Sequence, residues 1–263
     1  AYSNRSYVFQ ELKLYKDAVA SCDSAIKLNP SYADAYVNRG SALLELKKYQ
    51  EAVYNYDKAI ALNSKIDWMQ SNRLQKKKKI CSWSNFDSEL SNLIQSVQVD
   101  NIPSECFAVL SLKDSLTLHH QIVQIYVDKK YPFNHELGLI PQRSASGQSS
   151  KIRIGYFSSD FHGKHPVANV IAELFELHDK SRFEIIAFSF GVDTQDALRQ
   201  RIVNAFDQFI DVRTYTDKEV AQLARTMEID IAVDLNGFTA DNRFGIFAYR
   251  AAPIQVCYLG YPG

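Results

Sequence analysis

The sequence repeats itself at an offset of 34 residues, and this period limits the possible folds more than any other feature. Laying "AYSNRSYVFQELKLYKDAVASCDSAIKLNP" (1–30) over "AYVNRGSALLELKKYQEAVYNYDKAIALNS" (35–64) gives fifteen identities in thirty positions, among them Asn4/Asn38, Arg5/Arg39, Tyr15/Tyr49 and Asp23/Asp57. A unit of this length is a pair of helices that cannot bury its apolar face alone, so it stacks on its neighbours. The small residues Ala18, Ala25, Gly40, Ala52 and Ala59 let the two helices approach closely, and Pro30 stops one unit before the next begins.

The period and pattern are those of tetratricopeptide repeats, and residues 1–64 are expected to form two of them. Two are too few for a continuous buried face, so more are expected upstream. Such an array presents a concave surface to peptides or partner proteins; the alternative is that the two repeats only cap the next domain.

Composition narrows the remainder. Apolar residues at 46%, with 12% aromatic, describe a globular chain. Thirty basic against thirty acidic side chains leave no global field to attract nucleic acid or an anionic membrane. No apolar run approaches the ~18 residues of a membrane span, and no signal-peptide pattern opens the chain. Cys22, Cys81, Cys106 and Cys257 are widely separated and form no CxxC pair. This argues against a zinc module or a disulfide framework and points to a reducing compartment: the cytoplasm, or the nucleus in a eukaryote. The chain opens on Ala1 and stops directly after a strand pattern, so a piece of a longer protein is expected.

Residues 65–150 read as a helical connector and linker, with helical patterns in "WMQSNRLQKKKKICSW", "FDSELSNLIQSV" and "DSLTLHHQIVQIYVDKKY". Lys76–Lys79 lack interleaved aromatics and are expected on the solvated side of a helix rather than on nucleic acid. His119 and His120 are one helical step apart and face different ways; they are expected at a surface or interface, since a metal pair needs i, i+4 spacing. Pro141–Lys151 is rich in serine and reads as a linker.

From residue 151 the period changes to alternating strand and helix. "KIRIGYF", "FEIIAFSFG", a short "IDV", "DIAVDLNG" and "IQVCYLG" read as strands, separated by helical patterns such as Pro166–His178 and "DKEVAQLARTM". This implies a parallel sheet covered by helices on both faces, with ligands at the carboxyl ends of its strands. Those ends carry Ser158, Ser159, Asp160, His162 and His165, then Gly191 and Asp193, then Asp234, Asn236, Gly237 and Thr239, then Leu259 and Gly260. Asp160 on this evidence is equally a helix cap or a reacting group. Pro166 suits a first helical position, which puts His165 at the cap. No dinucleotide fingerprint or P-loop is present.

Taken in order, the repeats, the connector, "IRIGYFSSDF…HPVA", "IDIAVDLNGFT" and "APIQVCYLGYPG" closely resemble the O-linked N-acetylglucosamine transferases and their SPINDLY-like relatives, bacterial members especially. The resemblance implies an all-α tetratricopeptide solenoid followed by the amino-terminal, Rossmann-like lobe of a GT-B fold, residues 151–263. It implies an inverting protein O-glycosyltransferase without metal or cofactor. Its donor would be UDP-N-acetylglucosamine, or GDP-fucose as in some relatives, its acceptors serine or threonine of intracellular proteins chosen by the repeats. By position, Asp160 and His165 match reaction-centre residues. Leu259, Gly260 and Pro262 match the donor-binding block, and Pro166, Thr239 and Arg243 lie on the acceptor side.

Three departures stand out. The "DFHGKHP" loop is one residue longer than in many relatives, with His162 or Gly163 as the insertion. Ala240 stands where a lysine is common. Glu105 and Cys106 stand where the connector often has a histidine. These departures support the other reading, a repeat scaffold with a degenerate lobe. A GT-B site needs both lobes, so these 263 residues alone are expected to be inactive.

Overall fold

Helices α1 (Tyr2–Glu11) and α2 (Tyr15–Leu28) form one hairpin, and α3 (Ala33–Glu45) and α4 (Tyr49–Leu62) form the next. The computed structural model describes residues 2–63, 70–98, 106–140, 151–239 and 241–261. They fall into two compact units, Ala1–Tyr126 and Val127–Gly263. Close packing within the first unit follows from its small residues. Ala18, Ala52 and Ala59 are fully buried. A Cβ on Gly40 would lie 2.5 Å from the Tyr56 ring, so only glycine lets that ring pack against α3. Each first helix ends on a residue in the left-handed region, Lys13 and Lys47, both at φ 59°. The next amide closes the turn, Leu14 N–H onto Phe9 O at 2.8 Å and Lys48 N–H onto Leu43 O at 2.9 Å.

The same geometry recurs a third time. Cys81 has φ 54°, again 34 residues on, and Ser82 N–H closes on Lys77 O at 2.9 Å. Arg39 binds Asp23 of the preceding hairpin at 2.6 Å, and Arg73 binds Asp57 in the same way. Helices α5 (Gln70–Lys79) and α6 (Phe86–Gln98) therefore continue the repeat into the stretch that sequence assigned to a connector. Packing substitutions hid it. Gly40, Leu43 and Tyr56 correspond to Leu74, Lys77 and Leu90, so a leucine stands in the place of the glycine and a smaller leucine in the place of the tyrosine.

Lys77 also corrects the expectation of a wholly solvated lysine run. It is 5% exposed and binds Glu89 at 2.9 Å, where Arg73 also binds Glu89 at 2.8 Å. The second repeat has Leu43 and Asn55 at the equivalent places, both 1% exposed. Restoring that pair, Lys77→Leu with Glu89→Asn, is expected to change stability by no more than about 1 kcal/mol, because a buried ion pair barely recovers its desolvation and Arg73, which loses Glu89, keeps Asp57. Lys77→Ala alone is expected to cost about 2 kcal/mol through the lost partner of Glu89. Trp83 belongs to this unit, and no tryptophan lies after it in the sequence, so denaturation followed by tryptophan fluorescence reports the effect. The unit is completed by α7 (Cys106–Leu110) and most of α8 (Leu116–Lys130). Of the two histidines expected at a surface or interface, His119 is 6% exposed, with Nε2 2.8 Å from Lys113 O, and His120 is exposed.

In the second unit five parallel strands lie in the order β3-β2-β1-β4-β5. They are β1 (Ile152–Ser158), β2 (Phe183–Ser189), β3 (Gln208–Asp211), β4 (Ile231–Asp234) and β5 (Ile254–Cys257). Alternate side chains serve opposite faces. Tyr156, Ile185, Ala187 and Val233 pack with α9 (Pro166–Glu176) and α10 (Ala197–Ala205). Phe157, Ile186, Phe188 and Ala232 pack with α11 (Asp217–Thr226) and α12 (Gly245–Ala248). Each fully buried aromatic contributes about 2–3 kcal/mol. Helix α10 ends at Ala205 although the helical pattern of its sequence, "DALRQRIVNAFDQF", runs on to Phe209, because Asp207 binds back to β2: its N–H donates to Ile185 O at 3.0 Å and its carboxylate accepts Ile185 N–H at 2.8 Å. Residues 127–140 belong to this unit and not to the connector. Asn134 N–H donates to Ala248 O at 2.9 Å, and Arg225 donates to Leu137 O at 2.8 Å. No described helix is long and apolar enough to cross a membrane.

Candidate active site

The chain moves from β1 outward to β3, then crosses back to place β4 on the other side of β1. At such a switch point the two crossovers leave on opposite faces and open a crevice beyond the carboxyl ends of the strands. The loops after β1 and β4 meet there, and they are tied together by side chains. Asn236 Nδ2 donates to Asp160 Oδ2 at 2.9 Å and to Ser159 Oγ at 2.7 Å, and Ser159 N–H donates to Asn236 Oδ1 at 3.1 Å. The Ser159 hydroxyl donates to the other Asp160 oxygen at 2.8 Å. Both carboxylate oxygens are thus held, and the side chain is 12% exposed.

His165 lies beside this carboxylate, with Nδ1 3.5 Å from Asp160 Oδ2. It is the extended N-cap residue of α9 with Pro166 next, and Val167 N–H donates to the same Nδ1 at 3.4 Å. Two partners compete for one nitrogen. Accepting from Val167 leaves the proton on Nε2, whereas donating to Asp160 leaves Nε2 a free base. The long "DFHGKHP" loop is fixed from the side: Gly163 N–H is shared between the Asp196 carboxylate oxygens at 3.1 and 3.0 Å. Asp196 also accepts the Thr194 hydroxyl and caps α10 through Arg199 N–H. These bonds, the Thr194 hydroxyl first, hold its carboxyl well below the usual carboxylate range. A Cβ on Gly163 would lie 2.7 Å from Asp196 Oδ1.

Asp234, 4% exposed, anchors the β4 loop by accepting Asn236 N–H and Gly237 N–H, each at 3.0 Å. Burial pushes its carboxyl up despite these bonds, and pushes the neighbouring Cys257 thiol up to about 12. The loop after β5 closes on the same place. Leu259 and Gly260 have φ 64° and 67°, and a Cβ on Gly260 would lie 2.2 Å from Asn236 O. Phe238 N–H donates to Tyr261 O at 2.7 Å.

Residues 80–263 match glycosyl transferase family 41, and residues 1–32 and 33–66 match tetratricopeptide repeats. The chain belongs to glycosyl transferase family 41. It is 36% identical over 132 residues to a protein of Arabidopsis thaliana named probable UDP-N-acetylglucosamine–peptide N-acetylglucosaminyltransferase SEC, covering 50% of this chain and 13% of that one. The corresponding Caenorhabditis elegans transferase is 29% identical over 197 residues, covering 70% of this chain and 17% of that one. The SPINDLY relative of Oryza sativa subsp. japonica is 34% identical over 149 residues, covering 51% and 16%. A solved mutant O-GlcNAc transferase of Thermobaculum terrenum shares the fold, with a TM-score of 0.72 over 99% of this chain and 50% of that one at 22% identity. The chain thus spans 13–17% of the length of these curated relatives and half of the solved one.

Within this family 41 chain the structure brings Asp160, His165, Thr239 and Gly260 around Asn236; the Thr239 hydroxyl donates to Asn236 O at 2.9 Å. Leu259 packs on the core that holds Tyr156 and Phe161, and Pro166 is exposed at the start of α9. Pro262, Ala240 and Glu105 lie outside the described residues, and Cys106 is buried in α7. Arg243 is not brought to this group. Its guanidinium binds Asp217 at 2.7 Å, Val212 O at 3.0 Å and Tyr215 O at 2.7 Å, above the Phe190 ring. Asn236 and Ser159 are the members that sequence reasoning did not select, because both read as ordinary turn residues. The available signal was topology: once β4 is placed beside β1, "DLNG" must face "SSDF".

Proposed function

We propose that this chain supplies the repeats and the amino-terminal lobe of an inverting protein O-glycosyltransferase. It would act on serine or threonine with UDP-N-acetylglucosamine as donor, GDP-fucose being the competing donor. The observation that carries this reading is the Asp160 carboxylate, fixed at the switch point with His165 beside it. In the reaction the acceptor hydroxyl attacks the anomeric carbon, the bond to the nucleotide diphosphate breaks with its electron pair leaving on phosphate oxygen, and the hydroxyl proton must depart. A carboxylate or imidazole within hydrogen-bond reach takes that proton directly or through water. Asp160 and His165 are assigned to this neighbourhood, with Thr239 and Pro166 on the acceptor side and Leu259, Gly260 and Pro262 beside the donor sugar and diphosphate. The Arg243 contacts favour a supporting role for that residue, fixing the loop before α11. Protein substrates would be selected by the repeats, in a cytoplasmic setting consistent with cysteines that form no disulfide among the described residues.

The test is sugar transfer by the complete natural polypeptide onto serine- and threonine-containing peptides, with each donor in turn. Transfer from UDP-N-acetylglucosamine is expected, while these 263 residues alone are expected to bind donor weakly and transfer none, since half a cleft cannot hold donor against acceptor. Transfer from GDP-fucose alone would reassign the donor. Absence of transfer from every nucleotide sugar would favour the scaffold reading that Ala240 and Glu105 suggest.

A further inference from the structure

We propose that Asn236 is a positioning residue of the transfer reaction, its side-chain amide setting the direction in which the Asp160 carboxylate faces the acceptor. The proposal rests on reading the Asp160 group as the reaction centre. Asn236 is 1% exposed, where an amide is retained only if its hydrogen-bonding groups find partners. Here both the carbonyl and the amino group do. Nδ2 reaches Ser159 Oγ at 2.7 Å and Asp160 Oδ2 at 2.9 Å, while Oδ1 takes Ser159 N–H at 3.1 Å. The arrangement has one orientation. A flipped amide would turn its oxygen toward the Asp160 carboxylate and its amino group toward the Ser159 N–H, losing both contacts.

The backbone of Asn236 is tied as firmly. Its N–H donates to Asp234 Oδ1 at 3.0 Å, and its carbonyl accepts the Thr239 hydroxyl at 2.9 Å. The same carbonyl is approached so closely by Gly260 that a Cβ there would lie 2.2 Å away. One residue therefore joins the loops after β1, β4 and β5. Of the two bonds that fix the Asp160 carboxylate plane, that from Ser159 is local, between adjacent residues, and only that from Asn236 crosses the switch point. Small losses of orientation at a reacting group are costly to rate and nearly silent in binding. This separates a positioning role from an architectural one.

The amide is observable directly. In the 263-residue chain its protons, followed by heteronuclear NMR, are expected to exchange with water about 100-fold more slowly than those of an exposed asparagine, and Asp160→Ala is expected to speed that exchange about tenfold. Exchange at the exposed rate overturns the proposal. In the complete polypeptide Asn236→Ala is expected to lower kcat about 100-fold with the donor KM changed less than about threefold. Asn236→Asp places two carboxylates face to face, which share one proton in acid and repel each other once both ionise toward neutral pH. Its kcat is expected to fall similarly near neutral pH and to recover as acid supplies the shared proton, while Asn236→Ala does not recover. A kcat that falls equally for both variants at every pH, in step with a falling Tm, overturns the proposal in favour of architecture. A parent enzyme that transfers no sugar removes the proposed function instead, and the amide exchange still decides whether Asn236 holds Asp160.

Discussion

Exchanging Asp160 for asparagine is expected to lower the transfer rate of the complete enzyme about 10³-fold while lowering stability by only about 1 kcal/mol. The two halves of that expectation have separate causes. Asp160 is nearly enclosed, and its oxygens accept from Ser159 Oγ and Asn236 Nδ2. An asparagine can keep its oxygen toward Asn236 and turn its amino group to Ser159, whose hydroxyl reverses from donor to acceptor and whose second lone pair already takes Asn236 Nδ2. Only the Ser159 hydroxyl proton then loses its acceptor, at a cost of about 1 kcal/mol, so the fold is retained. The chemistry is not, because an amide cannot accept the acceptor's proton or favour a proton on the neighbouring His165 Nδ1. The expected signature is a fall in kcat at unchanged donor KM, with Tm lowered by only a few degrees. A rate within tenfold of the parent would transfer the proton-handling role to another group, and His165→Ala would then be the variant that loses activity.

The fold was legible where a period or a strand–helix alternation survived, and obscure where packing had been exchanged in pairs. Two repeats announced themselves through identities at helix contacts. The third kept Asn72, Arg73 and the left-handed turn at Cys81 but exchanged Gly40 for Leu74, Leu43 for Lys77 and Asn55 for Glu89. A buried ion pair has no apolar signature, so a period read from apolar positions misses it. At the site, His165 was legible as a cap because proline follows it. Asn236 was not, because its importance lies in a bond to a residue 77 positions away, made possible only by strand order. Arg243 was placed on the acceptor side by the family resemblance alone, and in the structure its rigid fork matches Asp217 and two carbonyls of the loop before α11.

Gly191→Ala is expected to destabilise the α/β unit by about 3 kcal/mol, at the upper end of the cost of overpacking. The position invites the opposite expectation. Gly191 does not lie in the left-handed region, and at such a site alanine stabilises by about 0.4–1 kcal/mol through the unfolded chain. Close approach outweighs that gain. A Cβ on Gly191 would lie 1.7 Å from the Ser159 carbonyl oxygen and 2.5 Å from its carbon, and both are backbone atoms that no rotamer change can move. Neither strand end can yield alone, because Phe190 N–H donates to Ser158 O at 3.1 Å, while Ser159 N–H is held by Asn236 Oδ1. The substitution must therefore push the β1 loop away from β2 and strain the contact that orients Asp160. Amide hydrogen exchange on β1 and β2 measures the stability change, and the exchange of the Asn236 side-chain amide measures the displacement. Loss of protection without faster exchange at Asn236 would show that the loop moves as one body with β4. Protection within about 1 kcal/mol of the parent would show that the two loops separate freely, and that Gly191 is not what holds the first against the second.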